Sequence, residues 1–198
     1  MTGDRALSEV EALARRAARG AGLPWGLADE AGRAVRGLAL AEVDGCALLA
    51  RLLAETAPRP HQTLAPARLD RGAWQAADGP LCPIRTGASL SDMARMLPAE
   101  GIALRQVLVP ALILPFVGDM AGLQDGPVTL SWQGGIIGIG PEGLPRTAGI
   151  VKLVEVDETD LFLHPGGPAL PAAPAAARAR PSAAAWAALE ALAARAGP

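Results

Sequence analysis

Two histidines, two cysteines and no tyrosine among 198 residues leave this chain few of the side chains that move protons or attack carbonyls. The best constellation is Leu81–Asp92, LCPIRTGASLSD. Cys82 precedes a proline in an expected turn, Arg85 carries a donor fork that matches a carboxylate, and Gly87–Ser91 reads as the opening of a helix. Arginine with hydroxyls and free amides at a helix start suits a carboxylate or phosphate. Arg85, Thr86, Gly87, Ser89 and Ser91 are therefore the ligand-binding candidates, and Cys82, as nucleophile, and Asp92 are the catalytic ones. The same residues also have a plain structural use: serines cap helices, glycines make turns, and a free cysteine is usually a small buried hydrophobe.

Other chemistry finds less support. Gly138-Ile139-Gly140-Pro141-Glu142-Gly143 matches G-x-G-x-x-G after an expected strand. Pro141 and Pro145 stand where the phosphate-binding helix should run, so a glycine-rich turn between strands is the expectation and no dinucleotide site is indicated. His61, His164, Cys46 and Cys82 have no short chelating spacing, and no metal is indicated. A serine triad lacks its G-x-S-x-G elbow.

The elements that must hold these residues follow from pattern. The chain is long enough for one sizeable core but short for two full domains. Its 18 basic and 20 acidic residues offer no electrostatic case for nucleic acid. The opening MTGDRALSEVEALARR lacks an apolar signal region, and the most apolar run, within Gly101–Gly122, is broken by Pro110 and Pro115 and too short to span a bilayer. Two cysteines far apart fit a reducing compartment, and a cytoplasmic protein is expected.

The spacing predicts helices within 8–56. Ser8 and Glu11 form a capping box for the first, Trp25 sits at a core corner before the second, and Asp44 caps the third. Residues 57–88 read as a proline-rich covering loop. Ser89 or Ser91 then caps a short helix, followed by a strand at 102–108 and a helix from about 110 to 123. Val128–Trp132 and Ile136–Ile139 flank a glycine turn as a hairpin, and Gly149–Val156, rich in β-branched residues, reads as a further strand. Together these predict an α+β fold, an N-terminal helical cluster packed on a small mixed sheet. A single domain over 1–164 leads through a Pro/Ala linker at 165–181 to a tethered helix at 182–198, which either docks or serves a protein partner or a second copy.

SEVEALARRAARGAGLPWGLADEAGRA, GPLCPIRTGASLSD and VLVPALILPFVGDMA together resemble a family of short alphaproteobacterial proteins of unknown function, over about residues 5–160. That resemblance implies a grouping and no mechanism. Val43-Asp44-Gly45-Cys46-Ala47-Leu48-Leu49-Ala50-Arg51-Leu52 and Gly101-Ile102-Ala103-Leu104 are also similar to segments of the malate/L-lactate dehydrogenase-like NAD(P) oxidoreductases. Gly45-Cys46 stands where that family has its catalytic Ser-His, so this second resemblance implies a degenerate relative or accessory subunit, with NAD(P) as the only cofactor suggested. Two functions follow: a non-catalytic subunit or small-acid-binding module, or an enzyme of small hydroxy- or amino-acid metabolism.

Overall fold

The structure, a computed structural model, describes residues 3–57, 59, 61–69 and 72–196, and of His61, Arg68 and Leu69 the backbone. In chain order the described elements are β1 (Arg5–Ala6), α1 (Leu7–Gly20), α2 (Trp25–Leu40), α3 (Gly45–Thr56), β2 (Pro66–Leu69), β3 (Ala73–Ala76), α4 (Pro83–Asp92) and β4 (Ile102–Leu108). There follow α5 (Leu114–Gln124), β5 (Val128–Trp132), β6 (Gly135–Ile139), α6 (Ala148–Val154), β7 (Glu158–Pro165), β8 (Arg178–Ala179) and α7 (Ala183–Ala193), with short 3-10 turns at His61–Leu64, Ala94–Met96 and Pro110–Ile113. The class is α+β. None of the described helices is long and apolar enough to cross a membrane.

Two compact units emerge, and the first is discontinuous: Met1–Pro60 with Pro174–Pro198, and His61–Ala173. In the first, apolar residues at helical spacing bury one stripe of each helix: Val10, Leu13 and Ala17 of α1, Ala31, Val35 and Leu38 of α2, Leu48, Leu49, Leu52 and Leu53 of α3. Asp44 caps α3 as expected, accepting from the Ala47 amide at 3.0 Å. The start of α1 differs from expectation. Its N-cap is Ala6, and Glu9 rather than Glu11 reaches back to an N-cap amide, at 2.7 Å, because pairing of β1 fixes where the chain enters the helix. Trp25 is also a correction: 68% of it is exposed, with the Arg19 guanidinium stacked 4.4 Å from its ring.

The C-terminal helix α7 is capped by Ser182 as read, and it is docked. Leu189 is fully buried, and a Cβ on Gly20 of α1 would lie 1.8 Å from the Leu192 carbonyl oxygen of α7, an approach that only glycine permits. The stretch before it, expected as linker, is anchored. Ala176 donates to the Leu40 carbonyl, and β8 pairs antiparallel with β1, Arg5 opposite Ala179 and Ala6 opposite Arg178.

The second unit is built on a six-stranded mixed sheet of order β2-β3-β4-β7-β5-β6, in which only β3 and β4 run parallel. The proline-rich stretch thus supplies two strands and the start of α4; Pro58 and Pro60 lie outside the described residues. Alternation puts Leu104, Leu161, Leu163, Leu130 and Ile137 on the buried face, where α5 and α6 pack. Ala103, Phe162, Ser131 and Ile136 lie in register across the other face, with Phe162 and Ile136 exposed.

The strand at 102–108, the helix beyond Pro110 and the hairpin agree with the sequence reading. Between strand and helix, Val109 is buried with φ 40°, a left-handed conformation that strains a β-branched residue and is secured by its amide bond to the Asp157 carbonyl. Ala148–Val154 is a helix rather than the expected strand. Thr147 caps it through the Ile150 amide at 3.3 Å, and one face buries Ile150 and Leu153 while Val151 stays exposed, so local capping overrides β-branched propensity.

Candidate functional site

The Leu81–Asp92 segment takes a different local form from that expected. Pro83 opens α4 at a position where its missing amide hydrogen costs nothing, so Gly87, Ser89 and Ser91 lie inside the helix with their amides in the intrahelical ladder. Thr86 and Gly87 face the core. A Cβ at Gly87 would sit 2.2 Å from the Phe116 ring, and the Thr86 hydroxyl is buried without a hydrogen-bond partner. Cys82 is buried at the N-cap; burial pushes its thiol up, with the amides of Arg85 and Ile84 and the Arg85 charge acting less strongly the other way. Arg85 and Ser89 are half-buried and Asp92 exposed, and helical spacing places these three on one outward stripe.

Cys46 is likewise buried. Loss of solvent, and then the charge of Asp44, push its thiol up to about 12. Thiols so placed remain protonated at neutral pH and are poor nucleophiles. Among the described residues no group of three or more histidine, cysteine or acidic side chains is arranged to hold a metal. Gly140–Gly143 closes a short turn after β6, and the next helix, α6, begins only at Ala148 rather than directly from that turn.

Opposite charges gather in the first unit instead, around a cavity of about 400 Å³. Asp4 lies just before β1, and antiparallel pairing carries it beside Arg178 and Arg180 at the end of β8. Arg180 Nε donates to Asp4 Oδ1 at 3.2 Å, Arg178 Nε lies 3.8 Å from Asp4 Oδ2, and Arg178 Nη2 donates to the Asp4 carbonyl at 3.3 Å. The connection between α2 and α3 contributes Glu42, Val43 and Asp44. Asp44 ties the parts together: while Oδ1 caps α3, Oδ2 accepts the Ser182 amide at 2.9 Å. Apolar lining comes from Ala39, Val43, Ala176 and Ala177.

Each arginine has five donors, and among the described residues the bonds of both go to Asp4, its carboxylate and, for Arg178, its carbonyl. The pairs are more than half exposed, and such pairs contribute only about 0–1 kcal/mol, so a ligand carboxylate can take over these donors at little cost. None of these residues was a candidate on sequence. Asp4 and Arg180 stand 176 positions apart and meet only through β1 and β8. The available signal was the alternation Arg178-Ala179-Arg180, which puts two arginines on one side of an extended segment.

A shallower depression of about 520 Å³ lies on the open sheet face by Arg105, Asp160 and Phe162. There the charged pair has a structural duty. Asp160 accepts from Arg105 at 2.7 Å and from the Gln106 amide at 2.8 Å, which fastens the irregularity between Leu104 and Val107 where Gln106 adopts φ 51°.

No curated protein and no solved structure matches the chain. The resemblance to malate/L-lactate dehydrogenase-like enzymes finds no support among the matches. A family model described as a protein of unknown function (DUF3726) matches residues 5–79, a stretch that contains Glu42, Val43 and Asp44 and stops before α4 and the two arginines. Over that stretch, the chain is similar to a family whose function is unknown.

Proposed function

We propose that this protein is a non-catalytic module that binds a small carboxylic acid in the cavity bounded by β8 and the α2–α3 connection. The observation that carries the reading is the sharing of Asp4 by Arg178 and Arg180 at the wall of that cavity. A volume near 400 Å³ falls within the range of about 300–1,000 Å³ that small-molecule sites occupy. Buried, protonated thiols favour binding over covalent catalysis. Their unpaired state supports a cytoplasmic setting. A partner held through α7 would have to use the face turned away from α1 and α3.

Thermal-shift titration with 4-methylpentanoate tests the reading. Wild-type protein is expected to gain several degrees at saturating acid, and Arg180→Ala to lose most of that gain while keeping its unliganded melting temperature. Arg85→Ala is the control for the α4 stripe and is expected to respond as wild type does. Loss of the response in Arg85→Ala with retention in Arg180→Ala would move the site to α4, and no response in wild type would end the proposal.

A further inference from the structure

We infer that occupation of this cavity and the seating of α7 are coupled, so that a bound acid holds the C-terminal helix down; the inference rests on the acid-binding reading above. Three charged residues of the lining, Arg180, Asp4 and Asp44, each lead directly to the start of α7. Pro181 alone separates Arg180 from Ser182, the cap of α7, and this proline is buried and fixed in φ. Arg5, the neighbour of Asp4, stacks 4.3 Å from the Trp186 ring. Asp44 Oδ2 accepts the Ser182 amide at 2.9 Å.

Ser182 is where these links meet. While its amide is bonded to Asp44, its hydroxyl accepts the Ala185 amide at 3.3 Å and its carbonyl accepts the Trp186 amide at 3.0 Å. When α7 leaves α1 as a body, Ser182 is drawn from Asp44 and Trp186 from Arg5, and the displacement passes through one stiff residue to Arg180. Arg180 is then carried from Asp4, which its Nε meets at 3.2 Å, and the two guanidinium groups no longer share one carboxylate. The acid therefore binds the seated form better, which is the differential affinity that a ligand needs to shift a conformational equilibrium.

α7 also has less to hold it than the other helices of its unit. Of its 11 residues only Ala185 and Leu189 are buried, whereas α1 buries Val10, Leu13, Ala14, Ala17 and Ala18, and α2 and α3 bury more. Elements with few buried apolar contacts open at the lowest free energy, so α7 opens while α1, α2 and α3 stay packed. The coupling is reciprocal: loosening α7 weakens acid binding by the factor by which the acid secures α7.

Hydrogen exchange of the full chain with and without 4-methylpentanoate reads the coupling. At about one hundred times the dissociation constant, mass action allows at most about a hundredfold slowing of amides whose opening abolishes binding. In the free protein the α7 amides are expected to exchange faster than those of α1, and the acid to slow them at least about tenfold. Leu189→Ala, which loosens α7 from outside the described lining, is expected to weaken the acid at least about threefold in isothermal titration, with helix content checked by circular dichroism. Any of three results would overturn the inference: α7 amides indifferent to the acid, α7 amides as slow as those of α1 in the free protein, or a Leu189→Ala protein that frees α7 yet binds as wild type does. In each of these a melting temperature still raised by the acid leaves the acid-binding reading standing, and the absence of that rise ends both.

Discussion

Gly87 is the residue at which fold and sequence reading part most sharply. As a loop glycine near a ligand it would tolerate alanine; in α4 it faces the Phe116 ring with no room for a Cβ. Gly87→Ala should therefore destabilise the protein by about 1–3 kcal/mol, the usual cost of overpacking, despite the better helix propensity of alanine. A urea melt with an unchanged slope and a lower midpoint would bear this out; equal or greater stability would show that Phe116 moves aside freely. Thr86 reinforces the point, since a hydroxyl without a partner in a core is retained by surrounding packing rather than by its own bonds. The functional weight shifts from α4 to residues that no local motif marks. Asp4, Glu42 and Arg180 each look like ordinary surface charges in sequence, and they become a constellation only when β1 meets β8.

At the scale of elements, β4 shows how side chains repair an irregular ladder. Asp160 on β7 holds the bulge through the Gln106 amide first and the Arg105 guanidinium after it, and both keep its carboxyl below the usual range against the opposing effect of partial burial. A carboxyl whose folded pKa is depressed contributes stability above its unfolded pKa and loses it as pH falls through the folded value. Asp160→Asn should thus lower stability at pH 7, and the gap to wild type should narrow as pH falls below the ordinary aspartate range toward the depressed folded value. With both partners half exposed, the difference is expected to stay within about 1 kcal/mol. Denaturant melts from pH 2 to pH 7 measure it, and a gap that widened toward acid would refute the assignment. The same scale explains what could be read in advance. Caps at Asp44 and Ser182, the glycine hairpin and the strand–proline–helix unit around Pro110 declare themselves through local chemistry. α4 and α6 did not, because Pro83 reads as a breaker until its N1 position is known, and IVKLV has strand propensity until Thr147 caps it.

For the whole molecule, the discontinuity of the first unit matters most. Its helices α1, α2 and α3 come before His61–Ala173, while β8 and α7 come after it. Full burial of Leu189 alone is worth about 1.5–3 kcal/mol, so a chain ending at Ala173 should lose the cooperative melt of the first unit. Hydrogen exchange is expected to show fast amides in α1 and slow ones in β4 and β7 of that truncated chain; protected α1 amides would contradict the docking of α7. The pairing of β1 with β8 then has a temporal meaning. Synthesis at about 5–20 residues per second places an interval of several seconds to half a minute between the emergence of α1 and that of its last partner. During that interval the apolar stripe of α1 lacks the cover of α7, and the cavity beside β8 has one of its two walls. Both walls of that cavity exist only once translation has passed Arg180, so the acid binding proposed for it would begin only after the whole of the second unit has been made.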